Sequence, residues 1–287
     1  MSSPVNILVV GATGKQGGKA ISTLLGQSNL SLRFLTRNPS SESAKKLVEK
    51  GVTAVQGDLN DIEALDKALA GVDRAFLVTD AMAGEEKEAE QGINFVNAAK
   101  KAGVEHIVFS SVCAADTAKN VPHFRSKAKV ESSLKASGLS YTILRPAAFM
   151  DNFPVNSGFA RFMLVGAFYA ALGWGKCQLI AVEDIGVFAG KALLNTKDDT
   201  YRNKTIDLAA GNYAFEDIRH AILKSQGYTP WLASLLPTFI RNLLPHDFRE
   251  MMYFFATEGY PPVDANKLRS IHPQLLSLED YFRENKV

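Results

Sequence analysis

The chain has 287 residues, 46% of them hydrophobic and 22% charged, with a formal net charge of +2. That is the composition of a globular protein with a substantial core, and the absence of any block of like charge argues against direct binding of nucleic acid. Its two cysteines, Cys113 and Cys177, share no metal-like spacing and imply no disulfide framework, which points to a reducing compartment.

Apolar residues begin at Val5, so no leader is expected, and Asn6–Val10 reads as a buried strand. A glycine loop and a helix to Leu25 follow. Strands are predicted at Leu32–Thr36, Val52–Val55, Ala75–Val78, His106–Phe109 and Tyr141–Leu144. The helices between them run over Ser41–Lys50, Ile62–Leu69, Glu85–Ala102 and Ser126–Ser137. Strands separated by helices, with no hairpin turns, predict a doubly wound parallel sheet of the Rossmann type. Regularity is lost after Pro146, and Pro154 is expected to break any long helix in the aromatic stretch from Phe149 to Trp174. Beyond it, Asp184–Leu194, Phe215–Gln226 and Phe248–Phe255 read as helices and Thr205–Leu208 as a strand. Trp231–Leu244 is apolar, and Leu278–Phe282 is a short amphipathic turn. The expected α/β organisation is a nucleotide-binding domain over 1–153, completed by elements near 179–210, and a mainly helical C-terminal cap lobe over 154–287. The uncharged apolar run from Phe162 to Gly175 is too short to cross a bilayer. The expected location is the cytoplasm, with the nucleus left open, and the oligomeric state is not legible.

Strand, then Gly11-Ala-Thr-Gly14-Lys-Gln-Gly17-Gly18, then helix is the arrangement that seats a pyrophosphate. Gly11 allows the turn, Gly14 lets backbone approach the phosphates, and Gly17 permits close helix–strand packing beneath a free helix N-terminus. An NAD-type site places an acid about 20 residues downstream. Here the second strand ends in Leu35-Thr36-Arg37-Asn38-Pro39, which contains no acid. Arg37 offers a guanidinium fork to a 2′-phosphate, and Lys15 a second positive charge, so the expected cofactor is NADP(H). Asp58 ends the third strand and is read as an acceptor for the adenine amino group, Asn60 and Asp61 being better placed to cap the next helix. Thr79 ends the fourth strand at the ligand crevice.

Several of these segments resemble the NmrA-like family of atypical short-chain dehydrogenases/reductases. They are Gly11–Gly18, Thr36-Arg-Asn-Pro39, Gln56-Gly-Asp58, Phe109-Ser-Ser111, His123-Phe-Arg-Ser-Lys127, Leu144-Arg-Pro-Ala-Ala-Phe-Met-Asp-Asn152 and Val182-Glu-Asp-Ile-Gly186. The resemblance covers nearly the whole chain and is weakest between Ser157 and Lys176. His123-Phe124 with Lys127 resembles the NADPH-sensing, redox-responsive members most. The resemblance implies a cofactor site lined by Thr13, Gly14, Lys15, Gln16, Gly17, Arg37, Asp58, Leu59, Thr79 and Lys127. It also puts Phe149–Phe153 near the nicotinamide, with Phe149 and Phe153 shaping a substrate pocket.

Conventional short-chain dehydrogenases place a proton-donating Tyr four residues before a Lys. Lys127 is present, but position 123 is His. Four-residue spacing puts His123 and Lys127 on one helical face, where the ammonium disfavours the imidazolium and leaves a poor acid. Ser110 and Ser111 are candidates for polarising a carbonyl, and Tyr141 reads as core. The other histidines, His106, His220, His246 and His272, show no ligand spacing, so no metal is expected.

Phe159, Phe162, Phe168, Tyr169 and Trp174 crowd one stretch, and Trp231, Phe239, Phe248, Tyr253, Phe254 and Phe255 another. They read as the core of the cap lobe, with an apolar ligand pocket or a protein-docking patch as the sharper alternatives. The functional expectation is a redox-sensing regulator acting through a protein partner. Its rival is an NADPH-dependent oxidoreductase that reduces a small apolar substrate such as a quinone, an enone or another carbonyl compound. A redox-neutral enzyme that keeps its cofactor as a fixture is a third, weaker reading.

Overall fold

The computed structural model describes residues 3–153, 158–173, 175–227, 242 and 244–285, without the side chains of 158–164. Strand β1 (Val5–Val10) is an unbroken apolar run whose last four residues are buried, the pattern of a strand covered on both faces. It lies inside a seven-stranded sheet. On one side are β2 (Leu30–Thr36) and β3 (Thr53–Gln56). On the other are β4 (Arg74–Val78), β5 (His106–Ser110), β6 (Ser140–Pro146) and β9 (Lys204–Leu208), giving the order β3-β2-β1-β4-β5-β6-β9. All six pairings are parallel, with Val9 opposite Phe34 on one side and Phe76 on the other.

Successive side chains of β1 enter opposite cores. Ile7 and Val9 join Phe34, Phe76 and Leu144, together with Ile21 of α1 (Lys15–Leu24) and Ile185 and Phe188 of α7 (Val182–Leu194). Leu8 and Val10 join Phe109 and Ile143. Helices α3 (Ile62–Leu69), α4 (Glu85–Ala102) and α5 (Pro122–Ala136) cover that second face with Leu65, Phe95 and Leu134. Short polar side chains set the helix starts. Ser41 accepts from Ala44 N to cap α2 (Glu42–Glu49), and Asp61 accepts from Ala64 N to cap α3. Helix α5 begins at Pro122, one turn before the expected Ser126, because proline suits the first helical position. His123 therefore lies in its first turn.

The second half is more regular than its sequence suggests. A small sheet of β7 (Ala148–Phe149), β8 (Lys176–Ile180) and β10 (Gly211–Ala214), in the order β10-β8-β7, falls where no strand is expected. Helix α6 (Gly158–Leu172) is likewise unexpected. Pro154 precedes it and so interrupts nothing, and its apolar residues run around the circumference instead of marking one face. Helices α8 (Phe215–Gln226), α9 (His246–Thr257), α10 (Ala265–Ile271) and α11 (Leu278–Glu284) complete the cap. Of the apolar stretch Trp231–Leu244, all but Asn242 and Leu244 lies outside the described residues, as do Trp174 and the side chains of Phe159 and Phe162. The end of the chain is fastened to α7. His272 Nε2 is 2.9 Å from Asp184 Oδ1, Leu276 N donates to Asp184 Oδ2, and Lys191 Nζ donates to the Ile271 carbonyl. No described helix is long and apolar enough to cross a membrane.

His106 is buried at the start of β5 between the Ser140 and Thr142 hydroxyls, 2.9 Å from each. Burial, then the charges of Arg74 and Arg202, lower its pKa from 6.5 to about 4. Between those values the unfolded chain binds the proton and the folded chain does not. This contribution is thus fully present above the unfolded value and is lost as pH falls through the window, by about 3 kcal/mol. Urea unfolding at about pH 7 and about pH 4.5 should show H106Q losing less stability over this range than the native chain, by roughly that amount.

Candidate dinucleotide and substrate site

The loop after β1 turns back so tightly that side chains are excluded at Gly11 and Gly17. Gly11 has φ +68°, and a Cβ on Gly17 would lie 2.4 Å from the Gly11 carbonyl oxygen, a backbone atom that cannot move aside. Gly14 N donates to that same oxygen at 2.9 Å. Gly14 is also the N-cap of α1 and brings no capping side chain, and the first turn contains no acid. The first-turn N–H groups and the positive end of the helix are thus left for an anion.

On one side of this loop is a pocket of about 300 Å³ lined by Gly11, Thr13, Arg37, Asn38, Asp58 and Leu59, among others. Arg37 is exposed on it. Ser41 and Asp80 also line it, neither of which the sequence singled out. Asp58 Oδ1 accepts from Asn60 N at 2.8 Å and from the Asn60 side-chain amide, while Asp61 caps α3 as expected. Lys15 does not line this pocket. Its ammonium lies 3.9 Å from Asp151 on the other side, so the second positive charge expected beside Arg37 points elsewhere.

On that other side is a cavity of about 430 Å³. Gln16, Thr79, Lys127, Phe149 and Phe153 line it, as does His123. Lys127 is 7% exposed and its charge is already matched. Nζ lies 2.8 Å from Glu88 Oε1 and 2.7 Å from Thr79 Oγ1, and 5.8 Å from the centre of the Phe109 ring. Glu88 is fully buried, and its other oxygen accepts from the Ser126 hydroxyl. Burial alone would raise the Glu88 pKa. The Lys127 charge and the hydrogen bonds from Lys127, Ser126 and Thr79 outweigh it and hold the carboxyl below its ordinary range.

His123 therefore does not face a free ammonium, as the sequence suggested. Its Nδ1 lies 2.6 Å from Asp247 Oδ1, an acid on α9, and its backbone N–H points at the same oxygen at 3.4 Å. The two serines are spoken for. Ser110 Oγ donates to Gln16 Oε1 at 2.5 Å. Ser111 Oγ donates to Glu131 Oε1 at 2.6 Å, and Arg145 grips both oxygens of Glu131. Neither hydroxyl has a proton to spare for a carbonyl. Tyr141 packs at the edge of the second core, as expected.

The cap supplies the rest of the wall: Phe168 from α6, Phe248, Met251, Met252 and Phe255 from α9, and Tyr260 just beyond it. Phe254 is buried among Phe124, Phe255 and Tyr260, so these aromatics form core and pocket together. Sequence reading reached the aromatic run but neither Met251, Met252, Tyr260 nor Asp247, because helical spacing does not say which face meets a cavity. Burial raises the Tyr260 pKa well above its ordinary value, which makes this phenol a reluctant acid. Burial also pushes the Cys177 thiol up to about 12, and that of Cys113 higher still, so neither is a nucleophile.

Fold and site together define a Rossmann-type dinucleotide-binding protein with a capped apolar cavity. The NmrA-like family model matches residues 4–281, and the chain belongs to that family. It is 33% identical over 187 residues to the NAD(P)H azoreductase of Xenophilus azovorans and 32% identical over 188 residues to quinone oxidoreductase 2 of Escherichia coli. Each match covers 65% of this chain and 63% of the relative. Among solved structures, the Citrobacter sp. triphenylmethane reductase complexed with NADP(H) superimposes with a TM-score of 0.76 at 22% identity, over 98% of this chain and 99% of the other.

Removing one member of the buried Lys127–Glu88 pair leaves the other charge unpaired. E88Q should destabilise the protein by about 3–5 kcal/mol in chemical unfolding, and the double variant E88L/K127M should recover most of that loss.

Proposed function

We propose that the chain is an NADP(H)-dependent oxidoreductase that reduces a neutral, flat, apolar acceptor such as a quinone or an enone. One observation carries this reading: a single glycine loop opens on an Arg37 pocket at one side and on an apolar cavity containing His123 at the other. A Cβ at Gly17 would push α1 off the Gly11–Ala12 backbone, and the α1 N-terminus held there has no capping side chain and no acid in its first turn, so the residues present fit a dinucleotide diphosphate.

Gly11, Thr13, Gly14 and Gly17 would hold the diphosphate and Arg37 the 2′-phosphate. Asp58 and Leu59 would border the adenine, and Thr79, Gln16 and Lys127 the nicotinamide half. Bound NADPH supplies a hydride. The cavity wall offers an apolar surface to an aromatic or conjugated acceptor. Lys127, paired with Glu88, adds no net charge and so does not select an anionic substrate. His123 supplies the proton that neutralises the acceptor oxygen. The name of the quinone oxidoreductase relative supports an acceptor of this kind, and those of the azoreductase and of the structurally similar triphenylmethane reductase support a conjugated acceptor more broadly. The rival reading, a redox-sensing regulator, rested on the loss of the usual proton donor, and the Asp247 partner of His123 weakens that ground.

R37A should raise the Kd for NADPH about 10–100-fold, the loss of a charge-assisted contact, and leave NADH binding nearly unchanged in calorimetry. NADPH absorbance should fall in the presence of quinones, enones or azo compounds. Tight NADPH binding without turnover of any of them would return the regulator to first place.

A further inference from the structure

We infer that Asp247 is the positioning residue for proton transfer from His123, so that cap helix α9 provides both the apolar wall of the cavity and the carboxylate that orients its acid. This inference rests on the reductase reading above.

The geometry is specific. Asp247 accepts from His123 Nδ1 at 2.6 Å, and a carboxylate only accepts, so Nδ1 carries the proton of that bond. Nε2 is then the ring nitrogen left for the cavity that His123 lines. The same carboxylate oxygen faces the His123 N–H at the start of α5, where Val121 brings no capping side chain. Asp247 thus fixes both the backbone and the ring of one residue. The Phe124 ring sets the other boundary, edge-on to the imidazole with centroids 4.7 Å apart. Ring rotation would break the short bond to Asp247. Phe248, next to Asp247 in sequence, and Met251, Met252 and Phe255 further along α9 face the same cavity. The helix that orients the acid is therefore the helix that encloses the acceptor.

In the step inferred, the Nε2–H bond of the imidazolium breaks and an O–H bond forms on the acceptor oxygen. The electron pair and the second hydrogen arrive as the hydride that NADPH supplies. The neutral imidazole regains its proton from solvent, which reaches a side chain 17% exposed. Asp247 holds the tautomer that presents Nε2, as the acid partner of histidine does in other catalytic pairs.

D247N tests this, because its amide oxygen can still accept from the α5 backbone N–H and the helix start survives. The expected result is a kcat about 10–100-fold lower, with KM and the NADPH Kd changed by less than about threefold. The readout independent of turnover is ¹⁵N NMR of the imidazole in the NADPH-bound protein. The native chain should show His123 protonated at Nδ1 with slowed exchange, and D247L, which offers no acceptor, should lose that signal. H123A should lower kcat at least as far, and D247N should add nothing in its background. An unchanged Nδ1 signal in D247L or an unchanged kcat in D247N overturns the inference. So does a loss confined to KM or to thermal stability, which is what a merely structural clip would give. If the native chain turns over no acceptor, the reductase reading fails, and the NMR comparison still decides whether Asp247 orients His123.

Discussion

A parallel sheet that reverses its winding direction between β1 and β4 leaves a crevice at the carboxyl ends of its strands, and chain leaving those strands must pass its rim. That constraint distributes the site. The segment after β1 brings Gly11–Gly17, those after β2 and β3 bring Arg37 and Asp58, and that after β4 brings Thr79. The segment after β6 carries Phe149 and Phe153. Because β2 and β3 lie on one side of β1 and β4 to β6 on the other, charged recognition and apolar enclosure fall at opposite ends of one groove. The polarity of the site is a consequence of strand order and would survive wide variation in the side chains.

Within the crevice, burial forces polar groups into pairs, and those pairs decide what is left for chemistry. Lys127 takes Glu88 and Thr79, Ser110 takes Gln16, and Ser111 takes the Glu131 carboxylate that Arg145 holds. Each pairing ties one strand end or helix to another, so it stabilises the rim as it removes a donor from the cavity. Tyr260 remains protonated behind its aromatic neighbours. Among these groups, His123 lines the cavity with a ring whose Nδ1 is held by Asp247, which leaves Nε2 without that partner.

The Rossmann half was legible because its signals are local. Asn6–Val10 reads as a buried strand from its own composition, one residue short of the observed β1, Ser41 and Asp61 announce helix starts, and the glycine spacing is a steric requirement that the Gly11 carbonyl makes visible. The cap was not legible to the same degree. Its small sheet pairs β8 antiparallel to β10 and parallel to β7, joining residues more than 25 positions apart by strands of two to five residues. Helix α6 hides its period because it is apolar on most sides. Pairings at long range were the real blind spot. Nothing in the spacing of His123 and Lys127 reveals that Glu88 and Asp247, from α4 and α9, divide those two residues between them.

That division bears on the meaning of His at a position where Tyr is conventional. A tyrosine that gives up its proton becomes an anion, and a neighbouring ammonium stabilises that product. A histidine acts as an acid from its cationic form, which an ammonium opposes and a carboxylate favours. Exchanging Tyr for His beside an unmatched Lys would therefore remove the acid altogether. Here the Lys127 charge is matched from below by Glu88, and an acid of the opposite sign is brought to His123 from the cap. The substitution and its two partners make sense as one unit. For the reductase proposed above, an acid of changed charge type is matched by a counter-charge of changed sign, and that counter-charge comes from α9, the helix that walls the cavity.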